Sequence, residues 1–313
     1  MSLKRLPFIY KETFTHRTIE AIPEEICLDE NRSSELLVIL RVLSGTADIV
    51  HKNSGIRIKQ RKNYFSTDLK SYNSHWPKRF PKIISSEHKA SDIASYVENN
   101  KRLNRRFYKN VLLEISNFIL QTEKGSHTSA FIYIYRLLEN IAYAFPLIYV
   151  SKTNDFSKSY DYLKNLMDEN RTGGEKDFLK KFIEVLYKDD PQSEATFDFD
   201  IKARSESDQK KIFEMLYQLC KKDMLGDATL SPRTLSIRFT EVGSFLINIR
   251  NRFFHFSNNG QKNIDSETLY DSDYVFSLIN CQFMQWISNI FMGIFIHNFE
   301  QYESLKKSIS QNT

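Results

Sequence analysis

The sequence predicts a mainly α fold: a helical bundle preceded by a small mixed α/β or irregular N-terminal region. Three observations carry that expectation. Glycine and proline are scarce, 9 and 7 among 313 residues, which disfavours turn-rich sandwiches and propellers and leaves room for long helices. Apolar residues in the second half recur in steps of three and four, the spacing that lays one stripe along one helix face. The 24 Phe and 16 Tyr supply flat bulk for a large core, in a chain long enough to fold without disulfide or metal staples.

The elements follow in order. Residues 34–43, SELLVILRVL, read as a short helix. In TADIVHKNSGIRIKQ two alternating runs flank Asn53-Ser54-Gly55, so a β-hairpin is expected near 46–60. Residues 63–90 contain Pro77 and Pro81 and show no period, as a loop or irregular cap would. From about 91 the pattern is helical. One stretch covers 91–122 and breaks at Gly125; a second, nearly all apolar, covers 127–145 and stops or kinks at Pro146. Shorter helices are expected over 157–169 and 175–188, then an acidic linker, KDDPQSEATFDFD. Helix 207–224 repeats Ile212, Leu216 and Leu219 and closes at Gly226 as a C-terminal cap. The next helix opens at Ser231-Pro232, a side-chain cap followed by proline at the first helical position, and repeats Leu235, Phe239, Val242, Leu246, Ile249 and Phe253. The last, about 270–306, repeats Phe276, Ile279, Phe283, Trp286 and Ile290. Such stripes suit helices packed side by side. The expected organisation is a basic region over 1–104 and a bundle over 105–313 that carries an insertion at 151–205.

Charge is unevenly spread. Residues 51–109 hold fifteen Lys and Arg against four acids, an excess of +11 in a chain whose net charge is only +5. Tyr64, Phe65, Tyr72, Trp76 and Phe80 are interleaved with them. Cations among flat rings suit a phosphate backbone and unpaired bases, and suit equally a solvated face over a small core. Lys78, Arg79, Arg102, Arg105 and Arg106 are the candidate RNA contacts of this stretch.

Many chemistries are excluded by pattern. Neither a Gly-x4-Gly-Lys-Ser/Thr loop nor a Gly-x-Gly-x2-Gly fingerprint is present, which removes the common nucleotide cradles. A Gly-x-Ser-x-Gly elbow is absent too. The seven His are scattered, without metal spacing, so no metal and no cofactor is expected. Asp198 and Asp200 in FDFD would share a strand face and could hold Mg²⁺, but the Gly-Ser turn of nucleotidyltransferases is missing upstream, and an acidic loop is the expectation. Cys27, Cys220 and Cys281 are too few and too far apart for a scaffold, which points to a reducing, cytoplasmic setting. No secretory signal is visible at the N-terminus. Segments 127–150 and 274–299 carry charged or amide residues, so they read as core helices and no membrane contact is expected.

One segment carries chemistry: Ile249-Arg250-Asn251-Arg252-Phe253-Phe254-His255-Phe256-Ser257-Asn258-Asn259-Gly260. On a continuous helix Ile249 and Phe253 face the core, while Ser244, Asn248, Asn251 and His255 form a polar stripe on roughly the opposite side. A histidine there faces solvent, a partner subunit or a substrate. A phosphodiester whose sugar keeps its 2′-hydroxyl brings its own nucleophile. What the protein must add is a proton acceptor near neutral pH and a cation for the charge that develops on phosphorus. His255 can be the first as general base or acid, and Arg250 presents a permanently charged fork to phosphate oxygens. Asn251 can orient the imidazole, donate to the phosphate, or simply cap the helix end. Arg252 and residues 257–260 are candidates for gripping the backbone. The products would be a 2′,3′-cyclic phosphate and a 5′-hydroxyl. Arg250 and His255 lie about 140° apart on an ideal helix, so they serve one phosphate only if the helix distorts or ends, or if a second copy completes the set.

Arg-Asn-x3-His at the end of a bundle helix resembles the motif of the HEPN ribonucleases. The resemblance covers roughly 105–305 and is specific only in its six residues. It implies an all-α bundle that forms a homodimer with a composite active site, cleaves RNA without metal, and belongs to a class rich in toxins, abortive-infection and CRISPR-associated antiviral defence proteins. An always-active ribonuclease would poison its own cell, so restraint by a regulatory partner, a ligand or the N-terminal region is expected. It also implies a supporting polar residue on an earlier helix. Glu139, an acid in the apolar run YRLLENIAY, is the candidate, with a plain ion pair to Arg136 as the alternative. Ser257 stands where some relatives of this kind carry a tyrosine, two residues after the His, so a tyrosine-modification switch is not expected. The competing reading is a non-catalytic RNA-binding or adaptor protein that uses the same bundle as a dimerisation module.

Overall fold

The computed structural model describes residues 3–12, 24–29, 32–65, 88–151, 155–166, 174–188, 191, 194–226, 233–254, 263–264 and 271–311. It is mostly helical with little strand, as expected, and forms two compact units. One comprises residues 1–123 with 291–313; the other comprises residues 124–290. Residues 105–123 and the end of the last helix therefore group with the N-terminal region, where the sequence had put them in the bundle.

In the first unit, strands β1 (Phe8–Glu12), β2 (Ala47–His51) and β3 (Arg57–Lys59) form an antiparallel sheet in that order. The β2–β3 hairpin is the one expected near 46–60; β1, which pairs Tyr10 with Ile49 and Lys11 with Asp48, has no local signal in the sequence. Helix α1 (Glu35–Leu43) begins at Ser34, whose hydroxyl accepts from the Leu37 amide at 3.2 Å. It ends in two reversed hydrogen bonds, Gly45 N–H to Val42 O and Thr46 N–H to Arg41 O, the arrangement that needs a left-handed residue after the cap. Gly45 has φ +74°, and a Cβ there would sit 2.7 Å from the Arg61 carbonyl oxygen. Arg41 from this helix is fully buried. Its guanidinium meets the Glu12 carboxylate, the Ile26 carbonyl at 2.7 Å, and the hydroxyl and carbonyl oxygens of Thr46, which satisfies the charge that burial would otherwise penalise.

The single helix expected over 91–122 is two: α2 (Ala90–Asn100) and α3 (Arg105–Glu123), parted by a turn in which Asn104 adopts φ +51°. Asparagine tolerates that conformation, and its polar neighbours gave no warning. Tyr10 and Ser116 join β1 to α3 through a 2.8 Å hydroxyl contact. Tyr96 of α2 packs edge-on against Phe295 and Phe299.

The second unit contains α4 (His127–Val150), α5 (Phe156–Leu166), α6 (Gly174–Leu186), α7 (Glu206–Tyr217) and α8 (Val242–Phe254). The residues up to Ile290 of α9 (Ser272–Gln311) belong to it as well. Helix α4 runs through Pro146 rather than stopping there. By length and composition α4 is apolar enough to span a membrane, but 53% of its most apolar stretch is buried inside the protein: Phe131, Ile134, Leu138, Ile141 and Phe145 line the core. The α9 stripe from Phe276 to Ile290 is buried throughout, as its spacing predicts.

Three expectations are corrected here. FDFD is not a loop but strand β4 (Thr196–Asp200), paired antiparallel with β5 (Thr234–Arg238) in the register Phe199↔Leu235 and Asp198↔Ser236. The helix expected to open at Ser231-Pro232 begins only at Val242; 234–238 is strand, and Ser231 and Pro232 lie outside the described residues. Leu235 and Phe239 are four apart yet not on a helix: Leu235 sits in β5, and Phe239 opens a short 3₁₀ turn over Phe239–Glu241. Helix α7 ends at Tyr217 instead of 224, so Gly226 is no helix cap. It donates to the Ser236 carbonyl, and a Cβ at Gly226 would run into Thr196 Cγ2 of β4.

Candidate active site

Helix α8 carries the motif on its last turn. Its N-terminal half is locked in the core: Phe245 meets Phe199 of β4 at 5.3 Å and Phe283 of α9 at 5.7 Å, and Gly243 leaves room for Trp286. This packing overturns the expected polar stripe. Ser244 is buried with its hydroxyl lacking a hydrogen-bond partner, and Asn248 is tied inward, Nδ2 donating to the Leu219 carbonyl at 3.0 Å. Leu219 and Met224, from the chain that follows α7, cover Asn248 on the face that a bare bundle would leave open. Phe253 is only half-buried, against Phe276 and Phe254.

The last turn is different. The Arg250 guanidinium lies over the Tyr135 ring of α4, 4.7 Å from its centroid, and Nη1 donates to Asn251 Oδ1 at 2.8 Å. Among the described residues no carboxylate pairs with Arg250. A half-buried guanidinium fixed by a ring face and one amide oxygen retains N–H groups that no described residue uses. Of the roles open to Asn251, the observed one is to hold Arg250. Arg252 is half-buried, and its carbonyl accepts from the Ile264 amide at 2.9 Å, which pins the returning chain against the helix end. His255 and residues 257–260 follow directly but lie outside the described residues.

Glu139 is exposed. It stands one turn along α4 from Tyr135 and forms no ion pair with Arg250. Arg105 is also reassigned: its Nε bonds Glu35 at 3.0 Å and ties α3 to α1. Arg102 and Arg106 are exposed. Lys78 and Arg79 lie outside the described residues. Sequence reasoning missed Tyr135 and Phe131 of α4, which pack against the last turn of α8; their only signal was their four-residue spacing on one helix.

Around this turn, α4 and α9 begin side by side. Asp273 Oδ1 accepts from the Thr128 amide at 2.6 Å, and Asn280 Nδ2 donates to the His127 carbonyl at 2.8 Å. The Thr128 amide holds the Asp273 carboxyl below the usual carboxylate range, against a smaller opposing effect of burial. Burial pushes the Cys220 thiol up to about 12, which removes it as a nucleophile. No group of three or more His, Cys, Asp or Glu among the described residues could hold a metal.

Compared with known families, characterised proteins and solved structures, the chain matches none.

Proposed function

We propose that this protein is a metal-independent endoribonuclease of HEPN type. Arg250 binds the scissile phosphate, His255 moves the protons and Asn251 with Tyr135 holds the guanidinium in place. The observation that supports it most is the Arg250 side chain itself: fixed over an aromatic ring, with no carboxylate among the described residues to neutralise it, five positions from the only histidine of its segment. Cleavage proceeds by attack of the 2′-oxygen on the adjacent phosphorus. The base takes the 2′-hydroxyl proton, the P–O5′ bond breaks, and the 5′-oxygen leaves as a hydroxyl after receiving a proton. A 2′,3′-cyclic phosphate remains on the other fragment. Arg250 stabilises the charge on the phosphoryl oxygens as it develops. A second copy, paired across a two-fold axis, supplies the complementary Arg and His, and cellular RNA is spared by a partner or ligand that restrains this dimer, as a toxin or antiviral defence protein requires.

The test is cleavage of a fluorescent RNA in EDTA. Wild type cuts it; His255→Ala and Arg250→Ala each lose about 10²- to 10⁴-fold in rate with unchanged circular dichroism. Cleavage that requires Mg²⁺, or that survives both substitutions, overturns the proposal. Salt-sensitive binding without turnover in the wild type supports the adaptor reading instead.

A further inference from the structure

Phe254 follows Arg250 by four residues, hence about one turn along α8 and about 40° around it. Opposite them on α4 stand Tyr135 and Phe131, also four apart, met in reverse order: Arg250 lies over Tyr135, and Phe254 stacks on Phe131 with ring centroids 6.1 Å apart and planes 7° from parallel. Phe253 abuts Phe254 edge-on at 4.6 Å. Phe131 and Phe276 beneath are sealed from solvent, yet Phe254 is 40% exposed. An isolated exposed apolar side chain is unremarkable in any protein. This one is held by rings on one side and one edge, which restricts its rotamers, and one turn back on the helix stands Arg250, which no carboxylate among the described residues pairs.

We infer that Phe254 is a stacking platform for an unpaired nucleobase of single-stranded RNA, whose neighbouring phosphate is the one Arg250 holds. The inference rests on the ribonuclease reading and names its substrate class. A rise of about 6 Å separates positions i and i+4 on a helix, which puts charge and ring within reach of one nucleotide. Stacking on an aromatic ring accepts any base, so the platform fixes the register of the strand while leaving its sequence free. It selects single strands, because bases inside a duplex are not presented for stacking.

The experiment measures binding of the full chain to a short 2′-O-methyl RNA, which lacks the attacking hydroxyl, carrying one 2-aminopurine. Wild type binds and quenches the 2-aminopurine emission. Phe254→Leu keeps the apolar contact with Phe131 but has no flat face; it loses the quenching and binds about 5- to 150-fold more weakly. Phe254→Trp keeps both. The same strand within a duplex binds more weakly than alone. Equal affinity and equal quenching in wild type and Phe254→Leu overturn the platform and leave the ribonuclease reading intact, since cleavage in EDTA tests that separately. Absence of any RNA binding by wild type overturns both. A Phe254→Leu protein that changes oligomeric state in light scattering, with RNA affinity per protomer unchanged, assigns the ring to a contact between copies and overturns the platform.

Discussion

A guanidinium can bind a phosphate only if it is not already neutralised, and its position sets how much binding energy reaches the reacting atoms. Arg250 meets both conditions through Tyr135 and Asn251. Under the proposed ribonuclease reading, Tyr135 is a positioning residue that would act on RNA through Arg250. Replacing it by Leu removes the ring face and is expected to lower kcat/KM about 2- to 30-fold, the range for a cation–π contact from exposed to desolvated. Tyr135→Phe keeps the face and most of the rate. In an Arg250→Ala background, Tyr135→Leu changes kcat/KM no further, a non-additivity that a merely structural tyrosine would not produce. Additive losses in that double-mutant cycle would refute the positioning role. Arg250 and Asn251 were legible because they are contiguous with the histidine that defines the motif. Tyr135 and Phe131 were not, because the apposition of α4 and α8 is tertiary and leaves no local trace.

At the scale of elements, the start of α4 shows how the site is held. Its N-cap residue, Ser126, makes no side-chain cap bond, and Asp273 of α9 supplies the acceptor to the Thr128 amide instead. A cap of this kind is worth about 1 kcal/mol, so Asp273→Ala should lower the urea midpoint at pH 7 by a corresponding amount. The carboxyl is held below its ordinary 3.8. A depressed folded value contributes stability that is fully present above the unfolded value and lost as pH falls through the folded one. The gap between wild type and Asp273→Ala is therefore constant from pH 7 to about 5 and closes below about pH 3.8; a gap unchanged at pH 2 would exclude the carboxylate as its source. The same scale explains which elements the sequence revealed. The stripe of α9 is read correctly because helical periodicity is local. Strands β4 and β5 are not, because each is specified by a partner 34 to 42 positions away (Asp200 with Thr234, Thr196 with Arg238), and Leu235, Phe239 and Val242 satisfy a helical count by coincidence.

At the scale of the whole molecule, the excess of +11 over residues 51–109 does not translate into eleven available cations. Arg61 pairs with Asp48 at 2.9 Å, Lys101 with Glu98, and Arg105 with the buried Glu35. Arg102 and Arg106 are exposed and form no ion pair with a described residue. Sequence counts charges but cannot see which of them a carboxylate from another element has claimed. If RNA is the partner, the distinction is measurable in salt. Each phosphate neutralised on a single strand adds about 0.7 to the slope of log affinity against log salt. Arg102→Ala and Arg106→Ala should each reduce that slope by about 0.7 with unchanged stability. Arg105→Ala should leave the slope alone and lower unfolding stability by about 1–3 kcal/mol, the cost of stranding a buried acceptor. Titrations of a non-cleavable single strand between 50 and 300 mM salt, roughly the span over which such slopes are resolved, separate the two kinds of arginine. An equal fall in slope for all three substitutions would mean that the Glu35 pair opens on binding and that Arg105 belongs to the interface after all.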